Sequence, residues 1–581
     1  MNTAAIFHRS TAEYSYALDN DTVVVSLRTA KDVQKAWIIW NDPFINELER
    51  CEWYGDRVEM ELYLELREHY LWRVRLVPKY KRAMYYFEVS GEDGTYAVYE
   101  NKITPSELAS KGARQFFKFP WLNPSDVIAP PEWVRDTVWY QIMPDRFNRG
   151  SNFKDDERFR PWGDFSDPGW HDLFGGNLKG ITERLPYLRS LGISGVYMTP
   201  VFLSDSNHKY NTFDYRLVDP DFGTEEDLRE LVDTAHSMGI RIMMDAVFNH
   251  CGRQFFAWRD VMEKGKDSPY YDWFFINSDD FAHEDYNTSD GRFYTFSFWA
   301  SMPKLNTNNP EVIKYFTDVC LHWVDDIGID GIRFDVGDEV SHTFLRSLWA
   351  DLKAASPDVF LLGEIWMDSI KWVCNREYDS VMNYPFCSCS DNFWSDREQT
   401  SRDFMYSINY CRSLYPEQIT NVLFNFLDTH DTARAIESCA NENVFLQKLA
   451  VLMTMPGTPC IYYGTEIAMP GKRNPYNRAC MPWGDIDSGK YRSFTEKAEG
   501  LIRLRNSEAA LRSGEISFNI SEEEPRLICY DKGGEVRVYI NATGKSLRIE
   551  EKSEVLYSNG FDGDRLEADG ILISMIDPVH S

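Results

Sequence analysis

The sequence predicts an α/β protein built on a closed (β/α)8 barrel, with an inserted subdomain after the third barrel strand and a β-domain on either side. Three observations predict it. From Asp136 onward, short apolar runs alternate with amphipathic helical stretches, the grammar of parallel β/α units. Several of these runs end in a carboxylate or an imidazole, as strands do at the C-terminal face of a barrel. Before and after this region the pattern changes to period two, apolar against polar, which marks antiparallel sheets.

Residues 1–121 form the predicted N-terminal sandwich. Alternating runs at 22–27, 35–40, 58–66 and 83–89 are broken by Asn-Asp and Gly-Asp turns. In an unbroken strand, Val58, Met60, Leu62, Leu64 and Leu66 fall on one face. The barrel is expected over 122–505, with strands at 138–143, 195–198, 241–247, 331–336, 359–366, 380–384, 421–427 and 459–463. Between the third and fourth strands, 251–305 is aromatic, polar and far longer than a βα loop of about 2–6 residues. It predicts a small subdomain over the barrel mouth. After a helix near 499–505, residues 506–581 return to short strands at 526–530, 535–540 and 570–575.

Composition narrows the function. Lys and Arg total 62 against 91 Asp and Glu, a net charge of -29 that repels polyanions and excludes nucleic acid as the expected partner. The 18 Trp, 32 Tyr and 36 Phe can serve cores and sugar-stacking surfaces alike. Eleven cysteines are scattered without the spacing of a tetrahedral metal site, so reduced thiols and no metal centre are expected. The first residues lack a basic start followed by an apolar stretch, and no window approaches ~18 apolar residues. A cytoplasmic protein with no membrane span is the expectation.

The chemistry gathers at strand ends. The fourth run gives Arg333-Phe-Asp335, the fifth Gly-Glu364-Ile-Trp366 and the seventh Thr-His430-Asp431. A single acid there is more often a helix cap. Three acids on three rungs suit glycosidic bond cleavage, which needs one carboxylate at the anomeric carbon and one acid to protonate the leaving oxygen. Arg333 lies two residues before Asp335, so both face one way, and the cation is expected to keep Asp335 ionised. Glu364, flanked by apolar residues, suits the acid/base. His250 and His430 can bond sugar hydroxyls. A metal held by the two imidazoles and the acids is the competing reading, with no ligand spacing to support it.

These residues resemble the α-amylase family of glycoside hydrolases, within it the neopullulanase, cyclomaltodextrinase and maltogenic amylase group. The likeness rests on DAVFNH at 245–250, GIRFDVGDE at 331–339, GEIW at 363–366, THD at 429–431 and MPKLN at 302–306. AIFH near the start, HKYNTFDY at 208–215, YPEQ at 415–418 and GTPCIYYG at 457–464 extend it along nearly the whole chain. The resemblance implies Asp335 as nucleophile, Glu364 as general acid/base and Asp431 as transition-state stabiliser. It implies that Tyr210 stacks on the sugar, that His250, Arg333 and His430 bind hydroxyls or position the acids, and that Arg478 holds the next sugar. Asn474, Glu339 and Trp366 complete the implied substrate-binding set. Substrates would be α-1,4 glucans, namely maltooligosaccharides, cyclodextrins, pullulan or starch. A homodimer is implied, because in this group the N-terminal sandwich commonly reaches over a partner's site.

Departures from the family pattern bear on specificity. Gly337-Asp338 replaces Ala-Asn before Glu339, and Met367 replaces a His after GEIW, which leaves sugar transfer or isomerisation as an alternative to hydrolysis. Asn474 and Thr465 each stand in place of an Asp. No cofactor is required by this chemistry. A calcium site common in the group has Asn177 where an Asp ligand is expected, which weakens it. A non-catalytic glucan-binding protein is the remaining alternative, opposed by the presence of all three acids.

Overall fold

The computed structural model describes residues 1–108, 115–166, 168–282 and 286–577. The chain folds as two compact units, Met1–Ala129 with Arg402–Thr420, and Pro130–Ser401 with Asn421–Ser581.

In the first unit two antiparallel sheets face each other. One carries Ser15–Ala17, Val23–Ala30, His69–Leu76 and Glu61–Glu65; the other is centred on Lys35–Asn41 and Ala83–Gly91. Val25, Leu27, Trp72 and Val74 from the first sheet pack with Ala36, Ile38, Tyr85 and Phe87 from the second. The run 58–66 is not one strand. Asp56–Glu59 belongs to the second sheet and Glu61–Glu65 to the first, with the crossing at Met60, whose amide bonds the Ala36 carbonyl at 2.9 Å. A register shift between Leu62 and Leu64 then turns Leu62 outward, 46% exposed, while Leu64 is buried. Alternation alone could not reveal this, because one slipped residue reverses the face of all that follow.

The same unit captures a segment from between the sixth and seventh barrel strands. Tyr406 and Asn409, on the helix Ser401–Ser413, bond the Glu65 carboxylate and carbonyl at 3.1 and 3.0 Å. Gln418 of the YPEQ motif donates to the Ala17 and Leu18 carbonyls at 2.8 and 2.9 Å.

His8 of the AIFH motif is packed edge-on against Phe87 and Phe117, with ring centroids 4.8 and 4.6 Å away. Its Nδ1 lies 2.7 Å from the Ser26 carbonyl, an obligate acceptor, and its Nε2 3.0 Å from the Tyr85 hydroxyl. The ring is therefore the neutral Nδ1–H tautomer, and burial pushes its pKa down to about 4. A histidine neutral when folded and ordinary when unfolded stabilises fully above pH 6.5, and that stability is lost as pH falls towards 4. The loss is at most about 3 kcal/mol, since the ring retains some solvent contact. Urea unfolding followed between pH 7 and 4 is expected to show this slope, and His8→Gln to flatten it; equal slopes in the two proteins contradict the assignment.

The second unit holds the barrel. Its strands are β1 (Trp139–Ile142), β2 (Gly195–Met198), β3 (Arg241–Ala246), β4 (Gly331–Phe334), β5 (Phe360–Gly363), β6 (Ser380–Val381), β7 (Phe424–Phe426) and β8 (Thr458–Tyr462). All neighbouring pairs are parallel, β1 also pairs β8, and a parallel bridge from Met382 to Phe424 joins β6 to β7 and closes the ring. Every run expected from the sequence is present, but most end earlier than expected, because the polar residues that follow leave the ladder to line the mouth. Period-two alternation explains the interior. Trp139, Tyr197, Met243, Phe360, Leu362 and Phe424 form an apolar floor. Two residues further along the same faces come Gln141, Asp245 and, from β5, Glu364.

The 251–305 insertion folds on the helix Phe256–Lys264 and a set of antiparallel bridges, among them His250 to Lys304 and Ile276 to Phe293. Trp258 packs its aromatic centre against Phe274 and Phe293, centroids 4.8 Å away in each case. The C-terminal residues form a six-stranded antiparallel sheet around Val536–Asn541 and Arg565–Met575. Among the described residues, no helix is long and apolar enough to cross a membrane.

Asn177 caps the helix Leu178–Leu191. Its Oδ1 accepts from the Gly180 and Gly150 amides at 2.8 and 3.0 Å, and its Nδ2 donates to Asn152 at 3.0 Å. The carbonyl oxygen is thus committed to N–H donors, and among the described residues no group of three or more His, Cys, Asp or Glu side chains is arranged to hold a metal ion. This donor set does not fit a calcium ion.

Candidate active site

A cleft of about 520 Å3 opens at the C-terminal ends of the barrel strands. Asp335, Glu364 and Asp431 line it together with Tyr210, His250, His430, Glu339, Trp366, Asn474 and Arg478. Arg333 does not reach the surface and lies fully buried among the acids.

That guanidinium organises the site. Its Nη1 donates to both oxygens of Asp245 at 2.9 Å and to Asp335 Oδ1 at 3.0 Å, while Nη2 lies 2.9 Å from Glu364 Oε2. The bridge follows from register: Asp245 on β3 pairs with Arg333 on β4, so both side chains rise from one level of the sheet. The sequence expectation that Arg333 holds Asp335 ionised needs correction. One cation is divided among three carboxylates, and burial, then the Glu364 charge, push Asp335 well above the usual carboxylate range.

Glu364 is held from all sides. Its Oε2 accepts from the Val336 amide at 2.9 Å, and its Oε1 from Trp366 Nε1 and the Tyr384 hydroxyl, both at 3.2 Å. Val336 sits at φ +46°, a left-handed conformation unfavourable for a β-branched residue, of the kind that costs about 1–3 kcal/mol. That turn aims its N–H at Glu364. Gly337 follows because a Cβ there would lie 2.8 Å from the Tyr378 hydroxyl, which bonds the Gly337 carbonyl at 2.9 Å. This accounts for one of the departures noted in the sequence. Trp366 is 56% exposed and lies on the Tyr384 ring, centroids 3.9 Å apart.

On the opposite wall, Asp431 takes Arg478 Nη2 at 3.1 Å and lies 3.1 Å from His430 Nε2. Asn474, with its amide oxygen turned inward, accepts from both Arg478 nitrogens at 3.1 and 3.2 Å. Arg478 therefore holds Asp431 as well as facing the cleft. Gln141 donates to His430 Nδ1 at 2.7 Å, which leaves the proton on Nε2, directed at the Tyr210 hydroxyl 2.7 Å away. Tyr210 in turn donates to Asp245 at 2.9 Å. Burial pushes the His430 pKa far below its ordinary value and His250 down to about 3, so both rings are neutral. His250 is stacked on Phe296, centroids 4.9 Å apart, and Lys304 ties Asn249 to Glu339, whose carboxylate lies 3.1 Å from the ammonium.

The structure adds residues that the sequence reading did not assign. Asp245, Gln141 and Tyr197, whose hydroxyl donates to Asp245 at 2.6 Å, form the layer beneath the cleft. Strand parity with Arg333 could have exposed Asp245. Trp170, His208, Phe296 and Met302 line the cleft from loops, where no periodicity points to them. Of the other departures, Asp338 and Asn474 line the cleft; Met367 is 57% exposed outside it and Thr465 is buried beside Asp428.

Residues 141–513 match the family model described as "Alpha amylase, catalytic domain", and 1–123 match "Alpha amylase, N-terminal ig-like domain". The chain belongs to the α-amylase family. As an α-amylase-family glycoside hydrolase it is 38% identical to the maltogenic alpha-amylase of Bacillus acidopullulyticus over 563 residues, 96% of this chain and 93% of that one. It is 39% identical to neopullulanase 2 of Thermoactinomyces vulgaris over 532 residues, 90% and 88% of the two chains. A solved cyclomaltodextrinase superimposes with a TM-score of 0.89 at 33% identity, covering 99% of this chain and all of its own. The α-amylase-family barrel, the N-terminal sheet domain and the C-terminal sheet domain are thus those expected from the sequence.

Proposed function

We propose that this enzyme cleaves α-1,4-glucosidic bonds of maltooligosaccharides, cyclodextrins, pullulan or starch with retention of anomeric configuration. The observation that carries the proposal is the single guanidinium of Arg333 joining Asp335 to Glu364 beneath the cleft, with Asp431 held on the facing wall by Arg478. Asp335 attacks the anomeric carbon while Glu364 gives its proton to the departing glycosidic oxygen. Glu364 then takes a proton from water, whose oxygen displaces Asp335. Asp431, His250 and His430 bond sugar hydroxyls as positive charge develops at the ring. Asp335, pushed up by burial and then by the Glu364 charge, must give up its proton before it attacks.

Sugar transfer is the second reading, and Asp338 favours it. Its carboxyl lines the cleft, makes no hydrogen bond or ion pair to another side chain among the described residues, and is pushed up by burial. Such a group can accept from an acceptor sugar's hydroxyls. Chromatography of products from β-cyclodextrin, pullulan and starch side by side tests the assignment. Cleavage of the first two in preference to starch is expected; no cleavage of any of them contradicts it. The similarity to a protein named intracellular maltogenic amylase supports a cytoplasmic location, and the group resemblance supports a homodimer.

A further inference from the structure

The inserted subdomain presents aromatic rings that its own fold does not use. Phe298 is 62% exposed and Trp299 56%, in a short turn that runs directly from Phe296, a wall of the cleft, towards Met302, another. Ser297 and Phe298 adopt φ of +49° and +63°, a conformation that L side chains rarely hold. The turn is nevertheless pinned. The Trp299 amide bonds the Phe296 carbonyl at 3.0 Å, Met302 bonds Trp299 at 2.9 Å, Phe296 bonds Met302 at 3.0 Å, and Thr288 bonds Phe298 at 3.1 Å. A backbone strained at two consecutive residues and fastened from both sides turns two large rings to solvent at the edge of the cleft.

We propose that Phe298 and Trp299 form a secondary glucan-binding platform that holds the part of an α-glucan chain extending out of the cleft. The platform rests on the hydrolase reading above and adds to it a preference for length. The apolar C–H faces of glucose rings suit exposed aromatic faces, and a neutral chain meets no repulsion from a protein of net charge -29. Continuity with Phe296 and Met302, which line the cleft, places the two rings in the turn beside it. Two rings alone supply a few hundred Å2 at most, well short of the roughly 1,200–2,000 Å2 of a stable protein interface, so a glucan fits them better than a second copy.

The test is the double variant Phe298→Ala/Trp299→Ala, whose side chains are mostly solvated and outside the catalytic machinery. Its KM for short-chain amylose is expected to rise about tenfold while kcat/KM for maltotriose stays at the parent value. Equal changes on both substrates, or none, overturn the platform. So does a loss of dimer by sedimentation without a change in the amylose KM, which would make the patch a subunit contact. Affinity electrophoresis in an amylose gel, run on protein carrying Asp335→Asn, separates this proposal from the catalytic one. Retardation that disappears in the double variant supports the platform even if the parent cleaves no glucan, and absence of retardation overturns it.

Discussion

Asp335→Asn is expected to lower kcat/KM on maltotriose by about 10^4-fold, equivalent to about 5 kcal/mol of lost transition-state stabilisation. The amide is nearly isosteric, so the Arg333 contact at 3.0 Å keeps its place while the nucleophile is gone. Glu364→Gln is expected to act differently. The proton donor is lost, and rates on maltotriose fall by about 10^3-fold, within the usual contribution of general acid–base catalysis. An activated donor such as α-maltosyl fluoride needs no protonation of its leaving group, so its first step survives. The second step still needs the base. The two variants therefore separate nucleophile from acid/base by substrate, which a purely structural role for either residue would not do. Circular dichroism of both proteins should match the parent.

Arg333→Leu is expected to be the most damaging change for stability. It leaves Asp245, Asp335 and Glu364 facing one another with no cation in a position that is 0% exposed. Breaking a buried charge network in this way costs about 3–5 kcal/mol, to be read from urea unfolding. Asp335 then loses the cation that lowers its pKa and binds its proton more tightly, so the acid limb of the pH–rate profile moves to higher pH. Arg333→Lys restores charge without the fork that reaches Asp335 and Glu364 through separate nitrogens, and recovers stability more than activity. Unchanged unfolding of Arg333→Leu would show that the three acids do not depend on this residue.

How much of this was legible in the sequence depends on which forces write periodicity. The eight barrel strands were legible because buried parallel strands leave continuous apolar runs, and the three acids because they follow those runs directly. The run at 58–66 misled because alternation persists through a crossing between sheets and a register shift, both invisible to a period-two pattern. The capture of 402–420 by the first unit rests on single hydrogen bonds, such as Gln418 to Ala17, that leave no local signature. The role of Arg333 was half legible. Parity placed it beside Asp335, but only the closed ring brings Asp245 and Glu364 to the same guanidinium, and burial, then the Glu364 charge, reverses the expected direction of the Asp335 pKa. Phe298 and Trp299 were legible only as aromatic residues, since composition does not distinguish a core ring from an exposed one.

The proposed mechanism stands most directly on Asp335 forming a bond to sugar. Glu364→Gln, mixed with α-maltosyl fluoride, acid-quenched and measured by intact and peptide mass spectrometry, tests it. The prediction is a protein heavier by one maltosyl group, carried on the peptide that contains Asp335. Fluoride release with unmodified protein, or the adduct on any other residue, would contradict it.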